Sequence, residues 1–273
     1  RARPPAPRVR RVELMLTLVS GLAWTVVYVE AIRVGLRDRT YAMPVAALAL
    51  NLAWETTYAV DEFRTGVSAQ GVVNVVWALA DLVIVYTYLR FGRAELPGFV
   101  TRPLFAAWNV LLFATAFAVQ WLFLAQFGTH DATRYSAFLQ NLLMSGLFIA
   151  FFVARRGPRG QSLLIAVAKW LGTLAPTVLF GVLEGSGFVL GLGVLCSVFD
   201  VVYIGLLLRS GRPHRDDRVR RRVQGLQKLA HRLLRQADAA CEGPSWSTWS
   251  QMLPPLRSPS GLAGSSGDTP WRR

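Results

Sequence analysis

Four ionisable residues stand inside apolar runs of this sequence: Glu55, Asp81, Lys169 and Asp200. An ionisable side chain at bilayer depth is costly unless it faces a protein interior, so each is a candidate for acid–base chemistry. Each also has polar or aromatic company at helical spacing. Asn51, Glu55 and Tyr58 share a face with Pro44 and Leu48, which points an amide, a carboxyl and a phenol the same way, with Trp54 beside them. Asn74, Trp77 and Asp81 form a second stripe, and Gly193, Cys196, Asp200 and Tyr203 a third. Lys169 is followed by Trp170, Gly172 and Thr173. The plainer alternative for these stripes is a hydrogen-bonded cluster that glues helices, worth about 1 kcal/mol per contact. For Lys169 it is a counter-ion to one of the acids. Further along lie Gln140, Asn141, Met144 and Ser145, and before them Trp108, Asn109, Gln120 and Trp121. Most of the aromatics read as packing or interface residues, while a few facing a cavity would stabilise a carbocation.

Missing motifs narrow the chemistry. Asp216-Asp217 is the one Asp pair resembling a diphosphate–magnesium motif, and it lies among arginines near the C-terminus. No acidic run lines the apolar segments, which disfavours ionising a prenyl diphosphate with Mg²⁺. The sequence has no phosphate-binding glycine loop, zinc-ligand spacing or serine elbow. No metal and no cofactor is expected. The last apolar run contains no lysine, which argues against a retinal Schiff base.

The elements that must position these residues are membrane spans. Of 273 residues 53% are hydrophobic and 17% charged, against about 25% charged in soluble domains. Seven runs are long enough to cross a hydrocarbon core: Leu14–Val34, Ala42–Val60, Val72–Leu89, Pro103–Phe127, Ser136–Val153, Ser162–Leu183 and Phe188–Leu208. Backbone exposed to lipid must satisfy its own hydrogen bonds, so these runs are read as helices. Short loops make neighbours antiparallel. The expected fold class is all-α: a seven-transmembrane-helix bundle (14–208) after a basic segment (1–13), followed by a basic amphipathic helix (209–242) and a disordered tail (243–273). The amphipathic helix rests on Val219, Val223, Leu226, Ala230, Leu233 and Ala237. The tail is rich in Ser, Pro and Gly without period.

A formal charge of +14 raises nucleic acid as a partner, but the arginines cluster between and beyond the apolar runs, as membrane orientation and anionic lipid require. No nucleic acid partner is expected. The loops after spans one, three and five are the arginine-rich ones, which places the C-terminus in the cytoplasm; the arginines before Val12 disagree, and that segment is read as an incomplete start. Arginine in place of lysine suggests a GC-rich genome. The expected location is integral and multi-pass, in a bacterial plasma membrane. Cys196 and Cys241 are not expected to pair. In this topology Glu55 lies outward of the midplane and Asp200 inward, separated in depth by roughly 9 Å. One cavity would then be lined by both acids.

The motifs Tyr41-Ala-Met-Pro44, Asn51-Leu-Ala-Trp54-Glu55, Asn74-x-x-Trp77-x-x-x-Asp81, Gln140-Asn141-x-x-Met144-Ser145, Lys169-Trp170-x-Gly172-Thr173 and Cys196-x-x-x-Asp200-x-x-Tyr203 occur in that order. Together they resemble the small integral-membrane terpene cyclases of fungal meroterpenoid and indole-diterpene pathways, which have bacterial relatives in indole sesquiterpenoid pathways. The resemblance covers Tyr41 to Leu208 and leaves out the arginine-rich C-terminal part; the first span adds little. It implies a seven-helix, metal-independent, class II-like cyclase whose critical acids are Glu55 and Asp200. Asn51, Trp54, Tyr58, Asn74, Trp77, Asp81, Asn141, Met144, Trp170 and Tyr203 would shape the substrate pocket. Glu55 would be the general acid and Asp200 its partner or activator, because a carboxyl in a low-dielectric cavity keeps its proton and can donate it. The acceptor of that proton would be a terminal alkene or epoxide of a farnesyl- or geranylgeranyl-type chain already joined to another group. A carboxylic acid is weak for an alkene, so hydrogen bonds from Asn51 or a second acid must assist. The expected partners are this prenylated small molecule, the lipid bilayer, and an upstream prenyltransferase or epoxidase. The rival reading is a seven-helix transporter or receptor-like binding protein using the same acids for protons or a ligand. A transporter should show paired broken helices, and only one interruption, at Gly172 and Pro176, is visible.

Overall fold

A computed structural model describes residues 7–210 and Arg232. Among the described residues the chain is helical, without strands. Its elements are α1 (Pro7–Asp38), α2 (Val45–Thr65), α3 (Ala69–Phe91), a 3₁₀ turn (Gly92–Glu95), α4 (Arg102–Ala154), α5 (Leu163–Pro176), a π-helical turn (Thr177–Leu183) and α6 (Gly187–Ser210). Local chemistry explains several starts. The hydroxyl of Ser68 accepts from Gly71 N at 2.9 Å and that of Ser162 from Leu164 N at 3.1 Å, satisfying donors that have no partner within the first turn. Thr101 caps α4 in the same manner, with Pro103 in its first turn. Pro176 ends regular α-geometry in α5, because it brings no N–H to the ladder. Beyond it the wider π-turn lays Thr177 directly on Gly193 of α6, where a Cβ would have no room.

By length and apolarity, five of these helices can cross a membrane: Arg10–Asp38, Ala69–Glu95, Arg102–Ala154, Leu163–Leu183 and Gly187–Ser210. The expected count of seven is not reached on that measure, for two reasons. The helix α2 carries Asn51, Glu55, Asp61, Glu62 and Arg64, too much polarity for an apolar span. The expected fourth and fifth spans form the continuous α4, which breaks only at Gly128 (φ 70°, ψ 169°). A straight helix would put Gln120 and Gln140 about 30 Å apart. Instead Gln120 Nε2 donates to Gln140 Oε1 at 3.0 Å, so α4 folds back at Gly128 into two arms, 102–127 and 129–154. The amphipathic helix and tail expected after Arg209 lie outside the described residues, apart from the end of α6 and Arg232.

Helix contacts close into a ring. α1 packs on α3 and α5, α2 on α3 and α4, and α6 on α4 and α5. The polarity is inverted relative to a soluble bundle. Leu14, Met15, Leu18, Leu22 and Val29 on α1, and Val194, Val198, Val201 and Val202 on α6, point outward. Asn51, Glu55, Asn74, Asp81, Gln120, Gln140, Ser145, Lys169 and Asp200 are buried. An apolar surface of that extent requires a hydrocarbon solvent.

At one end of the ring a second polar cluster fixes where α2 begins. The guanidinium of Arg155 donates to Glu95 Oε2 at 2.6 Å and to Thr40 Oγ1, Tyr41 O and Arg159 O at 2.9 Å each. It also stacks on the rings of Phe151 and Tyr41. One side chain thus ties the end of α4 to the 3₁₀ turn and to the α1–α2 connection, four and five residues before Val45. Gly160, at φ +69°, sits where a Cβ would meet Thr40 Cγ2 at 2.7 Å and Tyr41 O at 3.0 Å. Replacing Arg155 with Met would leave Glu95 without its main counter-charge in a largely buried setting, at a cost on the order of 3 kcal/mol. A clear fall in the apparent melting temperature of the detergent-solubilised protein is the expected result, and an unchanged temperature would show that the clamp is dispensable.

Candidate active site

Two hydrogen-bonded groups occupy the interior, and they are separate. The first centres on Asn51. Its Nδ2 donates to Tyr28 Oη at 2.5 Å, Asp81 Oδ2 at 3.1 Å and Glu55 Oε1 at 3.2 Å. The Tyr28 hydroxyl donates in turn to Glu55 Oε1. Gln120 holds Gln140, and Gln140 Nε2 reaches Asn51 Oδ1 at 3.5 Å. The amide of Asn51 is thereby oriented with its oxygen toward α4 and its nitrogen toward the acids. The carboxyls of Glu55 and Asp81 face each other closely enough to share a hydrogen bond. Each keeps one oxygen, Glu55 Oε2 and Asp81 Oδ1, fully buried and without a hydrogen-bond donor from the protein.

The second group is an ion pair. Lys169 Nζ lies 2.8 and 3.0 Å from the two oxygens of Asp200 and donates to Ser145 Oγ at 2.7 Å. Both side chains are 1% exposed. Asp200 is thus fully engaged by a cation, the counter-ion reading of Lys169, whereas Glu55 has a second carboxyl as its neighbour.

The remaining expected site residues divide. Trp77 stacks near Tyr28, with ring centroids 5.8 Å apart, and donates to Thr25 Oγ1 at 3.2 Å. Met144 is buried in the main core cluster with Tyr28 and Tyr203. Asn141 Oδ1 and Trp170 Nε1 are buried polar atoms without partners, as is Thr173 Oγ1. Four others have their polar atoms engaged elsewhere. Trp54 donates to Thr133 O at 3.1 Å, Tyr58 bonds Ser136 at 3.2 Å, Asn74 accepts from Gln70 at 2.8 Å, and Tyr203 donates to Gln161 at 2.7 Å. Glu55 and Asp200 do not meet in one hydrogen-bonded cluster. Cys196 is a free, buried thiol. Among the described residues no three His, Cys, Asp or Glu side chains gather as metal ligands.

Tyr28 is the residue sequence reading missed, since α1 was expected to add little. Its signal was present: Trp24 and Tyr28 lie one turn apart on one helix face, and a phenol within a span needs a partner.

A buried pair is costly to break and cheap to replace whole. Lys169→Met alone should destabilise the protein by about 3–5 kcal/mol by stranding Asp200. The double substitution Lys169→Met/Asp200→Leu should recover most of that loss. Apparent melting temperatures of the two single variants and the double in detergent give the coupling, and strictly additive losses would contradict it.

Residues 1–183 match the model of the Pyr4-like transmembrane terpene cyclases. That stretch contains Tyr28, Asn51, Glu55, Asp81 and Lys169, and it stops before Asp200. Among curated proteins, the chain is similar to the "Pyr4-family terpene cyclase mfmH" of Annulohypoxylon moriforme, 31% identical over 172 residues, covering 60% of this chain and 68% of the relative. It is similar to the "Terpene cyclase pyr4" of Aspergillus fumigatus, 28% identical over 213 residues, covering 74% and 88%. The "Terpene cyclase esdpB" of Penicillium shearii is 37% identical over a shorter stretch of 92 residues, 34% of this chain and 37% of the relative. No solved structure matches. These relatives are fungal, so the expected bacterial plasma membrane finds no support in them. The transporter or receptor-like reading gives way as well: with a family model covering two thirds of its length, and acids buried inside a ring of membrane helices, this chain belongs to the Pyr4-like transmembrane terpene cyclases.

Proposed function

We propose that the chain starts a cation–olefin cyclisation by proton transfer from Glu55, without metal and without ionising a diphosphate. The substrate is a terminal alkene or epoxide on a prenyl chain already joined to an acceptor. The observation that carries this reading is the unpartnered, buried Oε2 of Glu55, the oxygen that neither Tyr28 nor Asn51 reaches. That oxygen receives no donor from the protein, which leaves it as the place for the acidic proton. Proton addition to the terminal alkene carbon leaves a tertiary cation; protonation of an epoxide opens its C–O bond and leaves the oxygen as a hydroxyl. Successive double bonds then attack, and loss of a proton from the last cation restores the acid, so product and substrate are isomers. Tyr28, which touches the acid, and the Trp24 and Trp77 rings packed on it offer π faces to the migrating charge. Asp200 is the partner or activator of Glu55 in this reading, and it acts through its pair with Lys169 in the bundle wall.

Seven crossings fit this reading when both arms of α4 and the polar α2 are counted, with the C-terminus on the cytoplasmic side where the arginine-rich loops lie. An upstream prenyltransferase or epoxidase supplies the substrate.

Expression in a host supplied with candidate prenylated indoles and terminal prenyl epoxides tests the proposal. Wild type should give a product isomeric with one of them by mass spectrometry. Glu55→Gln should lower its formation at least about 100-fold, the scale of a lost general acid. A product that survives Glu55→Gln would remove Glu55 as the proton source.

A further inference from the structure

Four acids are buried among the described residues: Glu30, Glu55, Asp81 and Asp200. Two are neutralised by cations, Glu30 by Arg33 and Asp200 by Lys169. Glu55 and Asp81 have each other, with only neutral donors around them: Tyr28 from α1 and Asn51 from α2, the latter held by Gln140 from α4. A low-dielectric interior does not sustain two adjacent uncompensated anions, and buried groups in that position take up protons instead.

The donors are also one-sided. Tyr28 and Asn51 both donate to Glu55 Oε1, and Asn51 donates to Asp81 Oδ2. An oxygen that accepts hydrogen bonds acts as the carbonyl oxygen of a neutral carboxyl, which leaves the proton for its partner. On Glu55 that partner is Oε2 and on Asp81 it is Oδ1, the two buried oxygens without donors.

We propose that Tyr28, Asn51 and Asp81 are positioning residues that make Glu55 a one-directional acid, with both carboxyls neutral at rest. The donors on Oε1 hold the acidic proton on Oε2. When that proton passes to the substrate, the new carboxylate keeps the hydrogen bonds from Tyr28 and Asn51 and gains one from the proton of Asp81. The proton lost from the final cation returns to Glu55, and Asp81 keeps its own throughout. This deepens the proposed function and rests on it for turnover, but the resting state can be read without any substrate.

The decisive measurement is infrared spectroscopy of the purified full-length chain in lipid nanodiscs at neutral pH, using the C=O stretch of protonated carboxyls and its shift in D₂O. Two such bands are expected, one lost in Glu55→Gln and the other in Asp81→Asn. Tyr28→Phe should move the Glu55 band to higher frequency, because its carbonyl oxygen loses a donor, while the Asp81 band stays. Absence of a Glu55 band, or a band indifferent to Tyr28→Phe, overturns the proposal even if the wild type cyclises a substrate. The expected bands without product from any substrate would sustain this acid geometry and count against the cyclisation reading alone.

Kinetics supply a second test. Tyr28→Phe should lower kcat roughly 10- to 100-fold with KM nearly unchanged, the effect of one lost hydrogen bond to a developing charge. Asp81→Asn should retain activity within roughly 10-fold of wild type, since an amide N–H can replace the O–H donor, whereas Asp81→Leu should lose much more. An Asp81→Asn variant as inactive as Glu55→Gln would make Asp81 a proton source in its own right and overturn the assignment.

Discussion

Hydrocarbon offers no hydrogen bonds, and the polar groups buried in this bundle must find theirs from one another. Asn51 is the residue on which the answer turns. It sits between two carboxyls and a phenol, and its own orientation is set from behind by Gln140. Remove that amide and three elements lose their shared contact: α1 through Tyr28, α2 itself, and α3 through Asp81. Polar contacts of this kind are modest individually inside membranes. Their value lies in direction, since an apolar contact would hold the same helices together and leave the acids free to turn.

Charge balance divides the interior into two regions with different chemistry. Lys169 lies between α5 and α6 and satisfies both oxygens of Asp200, so that region is electrically closed. Glu55 and Asp81 have no cation and retain unpartnered oxygens, so theirs is open. Carboxyl groups at similar burial are thus paired with a cation in one place and left with only neutral donors in the other. The difference comes from one lysine and from which helices the ring makes adjacent.

Two devices hold the open region in register. The reversal of α4 at Gly128 folds Gln120 onto Gln140, and through Gln140 onto Asn51. At the other end Arg155 fastens the connection into α2 against the 3₁₀ turn, so α2 cannot slide along its axis without breaking the Arg155 contacts to Thr40 and Tyr41. A helix bearing both Asn51 and Glu55 is too polar to be kept in place by apolar packing alone. Fixing its start and its flank supplies what its composition lacks.

The sequence by itself determined that the chain is helical and built for a membrane, because apolar runs of bilayer length admit no other backbone. It also determined which side chains must face inward: Glu55, Asp81, Lys169 and Asp200 stood out because ionised groups are costly beside lipid, and the structure buries all four. Periodicity placed Asn51 on the face of Glu55, and their hydrogen bond follows from a spacing of four. Pairing between helices was beyond such reasoning. Spacing within one helix says nothing of which neighbour it meets, so Lys169 read as a counter-ion to one of the acids without saying which, and the structure gives it Asp200. Asp81, expected to shape a pocket, is the residue beside the acid. Tyr28 could be suspected of needing a partner, but which one was not legible until the ring set α1 against α3 and brought its hydroxyl to Asn51 and Glu55 of α2. Local sequence decides the polarity of a face, and only tertiary packing decides which face answers it.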